Sequence, residues 1–241
     1  MLKLNEIYCG DCLEIMKDIP DKSIDMILCD LPYGTTSCKW DTIIPFEPLW
    51  EQYKRIIKDN GAIVLTASQP FTSALVMSNV KMFKYEWIWN KKQSGSFLLA
   101  KYQPLKIIES VLVFSNGKTK YIPQMRTGKL RKKGGSKSKS ELYASLGSEV
   151  KYNDQYFPTN LIEFSMANKS NRVHPTQKPV ALFEYLIKTY TNEGDLVLDN
   201  CAGSGTTGVA CLNLKRNFIG IELNPAYVKI GQERLRQKTL I

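Results

Sequence analysis

Histidine and long apolar stretches are both scarce in this sequence, and each scarcity excludes a class of protein. No stretch approaches the roughly 20 apolar residues that cross a bilayer, so we expect neither a membrane span nor a signal peptide. His174 is the only histidine. Cys9 and Cys12 form a C-x-x-C pair, but no second such pair follows, and a tetrahedral zinc site cannot be completed at the usual spacing. We predict that the protein has no metal site.

Cysteine is also sparse, with six residues dispersed along the 241-residue chain. Several lie in apolar runs, where a thiol behaves as a small buried side chain, and this usage is typical of a reduced intracellular protein. We therefore expect a cytoplasmic location. Apolar residues make up 43% of the chain and charged residues 23%, which indicates a folded globular protein. The length favours one large domain with an inserted segment over two equal domains.

Acidic residues are fewer than basic residues: the chain has 23 Asp and Glu but 33 Lys and Arg, which gives a formal net charge of +10. The surplus is concentrated between residues 117 and 139, where no acidic residue occurs. The basic residues of this stretch are Lys118, Lys120, Arg126, Lys129, Arg131, Lys132, Lys133, Lys137 and Lys139. Such clustering predicts a polyanionic partner, whose phosphates these side chains would neutralise. A charged loop without a partner is the alternative, and the interleaved Gly and Ser predict a mobile stretch until a partner binds.

Apolar periodicity predicts strands and helices that alternate on both sides of the basic stretch. The predicted strands cover residues 25–30, 62–66, 86–89, 107–114, 196–198 and 218–221. The predicted helices cover residues 46–58, 69–79, 179–190, 206–213 and 225–237. This alternation is typical of a mostly parallel α/β sheet with helices on its faces.

A glycine-rich loop lies between the strand at 196–198 and the helix at 206–213. Gly203, Gly205 and Gly208 satisfy G-x-G-x-x-G, a spacing that lets the backbone approach a ligand at a helix N-terminus. Glu222 follows the next strand, where it can accept hydrogen bonds from ribose hydroxyls. The spacing predicts an adenosine-containing cofactor and leaves NAD and S-adenosylmethionine open. Asp199, just before the loop, would repel a pyrophosphate and attract an ammonium and a sulfonium, which favours S-adenosylmethionine.

The order of elements predicts where this loop lies in the sheet. Only one βαβ unit follows the loop, whereas a nucleotide-binding α/β sheet needs more strands beside its switch point. The missing strands must therefore come from the N-terminal part of the chain. We expect the strand that ends at Asp30 to lie beside the strand that ends at Asp199, so that both open onto one crevice.

Four motifs occur in a single order along the chain. Asp30-Leu31-Pro32-Tyr33-Gly34 resembles the Asp-Pro-Pro-Tyr motif of enzymes that methylate adenine N6 or cytosine N4. It is followed by His174-Pro175-Thr176-Gln177-Lys178-Pro179, by the loop of residues 199–208, and by Gly220-Ile221-Glu222 with Asn224-Pro225. Together these motifs resemble the β class of DNA amino-methyltransferases. In that class the catalytic motif precedes the cofactor motif, and the target-recognition region lies between them.

The resemblance implies a Rossmann-like, mostly parallel methyltransferase sheet with permuted motif order and an inserted basic target-recognition region. We accordingly expect a catalytic domain built from residues 1–116 and 171–241, with the insertion at 117–170. The implied activity is site-specific transfer of a methyl group from S-adenosylmethionine to adenine N6 in DNA after base flipping. Cytosine N4 is the alternative target, although Asp30 at the first motif position resembles the adenine enzymes more. The sequence departs from the family at Leu31, where proline is usual.

The resemblance also implies roles for individual residues. The Asp30 carboxylate and the Leu31 carbonyl would hold the reactive amine in the loop that Pro32 belongs to, and Tyr33 would stack on the extruded base. Lys178 would pair with the cofactor carboxylate. The residues expected to bind cofactor are Asp11, Cys12, Asp30, Thr176, Lys178, Asp199, Cys201, Ala202, Gly203, Ser204, Gly205, Thr206, Thr207, Glu222, Leu223 and Asn224.

Three of these residues also have a plain structural alternative. Asp30 could cap a turn, Asp11 could cap a helix, and Lys178 could be a solvated lysine at a helix start. His174 is more simply a surface residue than a catalytic base, because methyl transfer needs no histidine. The predicted partner is DNA, with no membrane partner, and a homodimer and a cognate restriction endonuclease are further candidate partners.

Overall fold

The computed structural model describes residues 2–35, 41–95, 97–133, 151–166 and 177–239. The strands are β1 (Glu6–Cys9), β2 (Ile24–Asp30), β3 (Ile57–Ala67), β4 (Phe83–Asn90), β5 (Ile108–Phe114), β6 (Arg126–Lys133), β7 (Lys151–Tyr156), β8 (Leu161–Glu163), β9 (Leu196–Asp199) and β10 (Asn217–Glu222). The helices are α1 (Cys12–Ile15), α2 (Phe46–Ile56), α3 (Phe71–Ser78), α4 (Val180–Tyr190), α5 (Thr206–Asn213) and α6 (Pro225–Thr239). Across these segments, no helix is long and apolar enough to cross a membrane.

Within the described part of the chain, eight strands form one sheet in the order β1-β10-β9-β2-β3-β5-β4-β8. Only β5 runs against its neighbours, pairing antiparallel with both β3 and β4. The other pairs described within this sheet, including β2 with β3 and β9 with β10, are parallel. The prediction of a mostly parallel α/β sheet is therefore confirmed.

The central strands are apolar throughout because helices cover both faces of the sheet. In β2, Met26 and Leu28 join the apolar cluster packed by α4, α5 and α6, whereas Ile27 and Cys29 join the cluster packed by α2 and α3. All four side chains are fully buried. A strand buried on both faces reads as a continuous apolar run, which is why residues 25–30 could be recognised from sequence.

The strand that ends at Asp30 lies directly beside the strand that ends at Asp199. The parallel register pairs Met26 with Val197 and Ile27 with Leu198. Both strands therefore deliver their terminal carboxylates to the same edge of the sheet, which we call the carboxyl edge. The expected adjacency of these two strands is confirmed.

Three short elements of the large sheet region were not predicted. β1 has four residues and adds an edge strand beside β10, α1 is a single turn, and β8 has three residues paired with β4. Elements this short carry too few residues to show a period of 2.0 or 3.6, so pattern alone cannot reveal them.

The chain divides into two compact units, Met1–Ile122 with Asn160–Ile241, and Pro123–Thr159. The smaller unit contains fewer residues than the predicted insertion, residues 117–170. At one boundary the Ile122 N–H donates to the Thr189 carbonyl at 2.8 Å, and at the other β8 belongs to the large sheet. Because of these long-range contacts, residues 117–122 and 160–166 belong to the larger unit, although the composition of these residues resembles that of the insertion.

The smaller unit contains the antiparallel pair β6 and β7, which we call the β6–β7 ribbon. The Arg131 guanidinium lies 5.3 Å from the centre of the Tyr156 ring, and the Tyr156 hydroxyl donates to the Lys129 carbonyl at 2.6 Å. Arg126–Lys133 therefore forms a strand paired with β7, and its mobility before a partner binds stays a prediction.

Candidate active site

A cavity of about 580 Å³ opens at the carboxyl edge, a size within the range of small-molecule sites. Its wall comes from segments that are distant in sequence: the turn before α1, the loop after β2, residues 177 and 178 shortly before α4, the loop after β9 and the end of β10. The predicted site residues that line it are Asp11, Cys12, Asp30, Leu31, Pro32, Tyr33, Lys178, Asp199, Cys201, Ala202, Gly203, Ser204, Thr206, Glu222 and Leu223. The fold thus brings both acidic strand ends and the glycine loop to one cavity.

Both oxygens of the Asp30 carboxylate are held by neighbouring side chains. Oδ1 accepts hydrogen bonds from the Tyr33 hydroxyl, at 2.8 Å, and from the Thr66 hydroxyl. Oδ2 accepts from Lys178 Nζ at 2.7 Å. Three side chains therefore fix the orientation of the Asp30 carboxylate, so Asp30 does more than cap a turn. Thr66 was not predicted, because its role depends on the register that places it beside Asp30 across β2 and β3.

Lys178 belongs to a buried row of alternating charges. Its Nζ lies 2.7 Å from Asp30 Oδ2 and 3.6 Å from Glu109 Oε2, and Glu109 Oε1 lies 3.0 Å from Lys91 Nζ. The side chains of Lys178, Glu109 and Lys91 are only 8%, 14% and 12% exposed. We call Lys91, Glu109, Lys178 and Asp30 the charge chain; it contains two positive and two negative groups.

The charge chain keeps Lys178 protonated. Burial by itself would lower the pKa of the Lys178 ammonium, but the carboxylates of Asp30 and Glu109 outweigh burial and raise it. Glu109 Oε2 has no hydrogen-bond partner among the described residues although it is buried. Lys178 Nζ lies 3.6 Å from this oxygen, so its negative charge is compensated in part by that ammonium.

Glu109 and Lys91 were missed in the sequence. The one signal for Glu109 is its position as a single carboxylate in the apolar run of residues 107–114. A buried carboxylate needs a partner, but hydropathy does not say which cation supplies it. Lys178 was expected to pair with the cofactor carboxylate; in this structure it pairs with Asp30.

Tyr33 is enclosed by neighbours on its ring as well as at its hydroxyl. Its ring stacks on Phe71 with centroids 5.2 Å apart and planes inclined by 23°, and Lys178 Nζ lies 5.6 Å from the ring centroid. Burial, followed by the charges of Asp30 and Glu109, raises the pKa of the Tyr33 hydroxyl, which stays protonated. A base that stacks on Tyr33 has to share the ring with one of these neighbours or displace it.

The loop after Asp30 is tied down by Asp41, another residue that the sequence did not reveal. Its two carboxylate oxygens accept from the backbone N–H groups of Gly34 and Thr35, each at 2.9 Å. Gly34 has a φ of +66°, a conformation that favours glycine. The Leu31 side chain is 4% exposed and packs in the core, so leucine is accommodated where the family usually has proline.

The three glycines of the loop serve different purposes. Gly203 has a φ of +52°, and a Cβ there would meet no atom within 4 Å, so only this glycine opens towards the cavity. A Cβ on Gly205 would lie 3.2 Å from Gly231 Cα, and one on Gly208 would lie 2.8 Å from the Phe218 ring. Gly205 and Gly208 are therefore required by packing between elements.

Gly205, Thr207 and Asn224 were expected to bind cofactor but do not line the cavity. The Thr207 hydroxyl donates to Asp199 Oδ2, and Asn224 Oδ1 accepts from the Ala226 N–H at 2.9 Å as α6 begins. Glu222 joins the two sides of this frame, because its carboxylate accepts from the N–H groups of Gly203 and Asn224 at 2.8 Å each. Gly205, Thr207 and Asn224 therefore support the cavity from behind its wall, whereas Glu222 is part of the wall.

Two more acidic residues have structural bonds beside the cavity. Asp11 caps α1, with Oδ1 accepting from the Leu13 N–H at 2.7 Å, so its capping role is confirmed. Asp199 is 4% exposed and accepts from the Cys201 N–H at 3.1 Å. Burial raises the pKa of Asp199 to about 7, although its hydrogen bonds with Thr207 and Cys201 oppose the shift. Asp199 is thus poised to change its charge near neutral pH.

The cysteines of the C-x-x-C pair have separate partners. Cys9 Sγ lies 3.9 Å from the Leu223 carbonyl, whereas the Cys12 thiol is hydrogen-bonded with Cys201. That bond, together with burial, raises the pKa of the Cys12 thiol, and burial raises the pKa of Cys29 to about 12. Across the described segments, no group of His, Cys, Asp and Glu side chains is arranged to hold a metal ion.

The residues predicted to contact DNA fall into separate places. Lys118 and Lys120 lie in the larger unit, and Lys120 Nζ pairs with Asp195 at 2.6 Å, just before β9 and therefore at the edge opposite the cavity. Arg126, Lys129, Arg131, Lys132 and Lys133 lie on β6 of the ribbon. Lys137, Lys139, the predicted cofactor residue Thr176, and His174 lie outside the described residues.

Comparison with known proteins bears on the same residues. A family model described as DNA methylase matches residues 24–233. The DNA adenine methyltransferase YhdJ of Escherichia coli is 32% identical over 95% of this chain and 82% of its own length. The Type II methyltransferase M.HpaI of Haemophilus parainfluenzae is 30% identical over 95% of this chain and 73% of its own length. The crystal structure of an M1.HpyAVI–SAM complex superposes with a TM-score of 0.65 at 27% identity, covering 95% of this chain and 98% of that chain.

These matches confirm the resemblance that the motifs indicated. They also decide between the two cofactors that the glycine spacing left open, in favour of S-adenosylmethionine over NAD. The family match includes the Asp30 motif, Lys178, the glycine loop and Glu222. The chain belongs to the DNA methylase family and is an S-adenosylmethionine-dependent DNA methyltransferase.

Proposed function

We propose that the protein methylates adenine at N6 within a specific DNA sequence, with Asp30 as the residue that holds the reactive amine. The observation that carries this proposal is the position of Asp30 on the wall of the cavity that the glycine loop also lines. The relative YhdJ, which is named an adenine methyltransferase, supports adenine over cytosine N4.

The cavity has the features that S-adenosylmethionine requires. Gly203 leaves open space at the loop, and the Glu222 carboxylate lies beside it for ribose hydroxyls. Asp11 and Asp199 add negative charge for a cationic ligand. When bound, S-adenosylmethionine supplies a methyl group that its sulfonium makes electrophilic.

The chain's own residues would prepare the amine. The lone pair of an exocyclic amine is delocalised into the ring, so acceptors that hold its N–H groups favour a reactive nitrogen. The Asp30 carboxylate and the Leu31 carbonyl supply two such acceptors, and the carboxylate stabilises the positive charge that develops on nitrogen. Asp30 is also placed to take the proton that the methylated nitrogen releases. Positioning of the amine next to the sulfonium methyl group supplies the rest of the rate acceleration.

The β6–β7 ribbon is our candidate for target recognition. A two-stranded ribbon fits the major groove of B-DNA, where base edges can be distinguished. The basic side chains of β6 would neutralise phosphates and make binding salt-dependent. A contact of Lys120 with DNA would require loss of its ion pair with Asp195. A homodimer and a cognate restriction endonuclease stay predictions from sequence.

Product analysis tests the proposed target. The protein is incubated with methyl-labelled S-adenosylmethionine and duplex genomic DNA, which is then digested to nucleosides. We expect label in N6-methyl-2′-deoxyadenosine, and far less of it with the Asp30→Asn variant. Label in N4-methyl-2′-deoxycytidine would contradict the adenine assignment, and no label with intact Asp30 would contradict the activity. Sequencing of DNA from an expressing host, by a method sensitive to modified bases, then identifies the recognition site.

Cofactor binding is expected to strengthen as pH rises through 7. Because burial raises the pKa of Asp199 to about 7, the carboxyl is protonated below that pH, and a cationic ligand favours its ionised form. Binding then releases a proton, so affinity for S-adenosylmethionine should rise about tenfold from pH 6 to pH 8 and level off above. Calorimetric titration measures this change. Asp199→Asn should flatten the profile; an equally steep profile in that variant would assign the titration to another group.

A further inference from the structure

The loop that joins β4 to β5 (residues 91–95 and 97–107) exposes large apolar side chains. Leu98 is 94% exposed, Tyr102 84% and Phe97 70%, and the first two are the most exposed large apolar side chains among the described residues. The turn is nevertheless ordered by its own backbone, since the Tyr102 N–H donates to the Leu99 carbonyl at 2.9 Å. A contiguous apolar tip on an ordered turn indicates a surface that binds something.

The same loop is rooted beside the active site. The Lys91 N–H donates to the Ile107 carbonyl at 2.9 Å and joins the two arms of the loop. The loop therefore leaves the sheet at the carboxyl edge, where β4 ends and β5 begins. Lys91 and Glu109 flank the loop and are both members of the charge chain that leads to Asp30. The apolar tip therefore belongs to a loop that leaves the sheet at the same edge as the cavity.

The charge around the tip favours a nucleic-acid partner. Residues 91–107 contain no acidic residue and four lysines, Lys91, Lys92, Lys101 and Lys106. Lys101 is exposed within the tip itself. Lys91 is buried against Glu109 and Lys92 pairs with Glu163, so the exposed Lys101 and Lys106 are the lysines available to contact phosphates. Phosphate contacts around apolar and aromatic side chains match DNA, whose bases can be unstacked and contacted by such side chains.

We propose that Phe97, Leu98 and Tyr102 form a wedge that enters the DNA duplex beside the target base and occupies the space that the extruded base leaves. This inference rests on the proposed methylation of a base in duplex DNA. A base inside a duplex cannot reach the cavity, and its extrusion breaks stacking and pairing. Apolar side chains inserted between base steps compensate for the lost stacking and hold the duplex open.

The test compares a triple variant, Phe97→Ser/Leu98→Ser/Tyr102→Ser, with the wild type. The substrates are oligonucleotides that carry the recognition site identified by sequencing of modified bases. On fully paired DNA the methylation rate should fall about 10- to 100-fold, the size expected for lost stacking. On DNA with an abasic position opposite the target, where extrusion is easier, most of the rate should return. Affinity for S-adenosylmethionine and the melting temperature should not change. Met77→Ser/Val80→Ser is the matched control, because these apolar residues are 74% and 55% exposed at the opposite edge.

Three results would overturn the wedge. The first is an unchanged methylation rate on paired DNA, and the second is an equal loss of rate on paired and abasic DNA. The third is a dimeric wild type that the triple variant converts to a monomer, because the apolar tip would then bind a second copy of the chain. The wild-type product assay reports separately on the proposed function. A wild type that methylates cytosine, or nothing, contradicts that function, whereas the ratio of variant to wild type on the two substrates judges the wedge.

Discussion

Replacing Asp30 with asparagine is expected to lower kcat for DNA methylation by about 10²- to 10³-fold, the loss seen when one preorganised electrostatic contact is removed from an active site. The amide has nearly the same shape as the carboxylate but lacks its negative charge, and one of its two acceptor positions becomes a donor. It therefore cannot stabilise positive charge on the amine nitrogen. It also leaves Lys178 without its 2.7 Å partner.

The measurement is kcat at saturating DNA and S-adenosylmethionine, with the melting temperature as a check on folding. Asp59→Asn is the matched control, since the Asp59 side chain is 87% exposed and pairs with Lys22 away from the cavity. A kcat for Asp30→Asn within about twofold of the wild type would remove Asp30 from the chemistry.

Replacing Lys178 with methionine is expected to lower the free energy of unfolding by about 3–5 kcal/mol, because the change leaves buried carboxylates without their cation. Methionine keeps the length of the side chain, so lost packing contributes little. Asp30 loses the group that fixes Oδ2, and Glu109 Oε2 loses the ammonium that lies 3.6 Å away. Activity should fall as well, because the orientation of Asp30 relaxes.

A double variant separates charge balance from other effects. Lys178→Met/Glu109→Gln removes one positive and one negative charge, so we expect it to be more stable than Lys178→Met alone. Urea unfolding of the single and double variants measures the difference. Lys17→Met is the control, since the Lys17–Glu14 pair is exposed and should contribute no more than about 1 kcal/mol. Equal stability of the single and double variants would show that Glu109 is not coupled to Lys178.

The Lys178→Met variant also tests the earlier expectation that Lys178 binds the cofactor carboxylate. A large loss of affinity for S-adenosylmethionine in calorimetry would support that expectation. Unchanged affinity with lowered kcat would assign Lys178 to the positioning of Asp30 alone.

Sequence by itself determined the features that depend on neighbouring residues or on motif order. The buried run before Asp30, the glycines between Asp199 and α5, and Glu222 at the next strand end are local patterns, each produced by the period of one element or the needs of one turn. Their order along the chain was enough to predict that β2 and β9 are adjacent, because the sheet needs strands beside its switch point.

Only the tertiary structure decided which distant side chains meet. Thr66 and Glu109 reach the active site because β3 pairs with β2, and β5 pairs with β3, in a particular register, and hydropathy does not encode register. Lys120 was assigned to the basic stretch by its neighbours in sequence, yet β5 runs antiparallel and carries it to the opposite edge. Strand order and direction result from the packing of the whole sheet, and for that reason the charge chain could not be derived from the residues that form it.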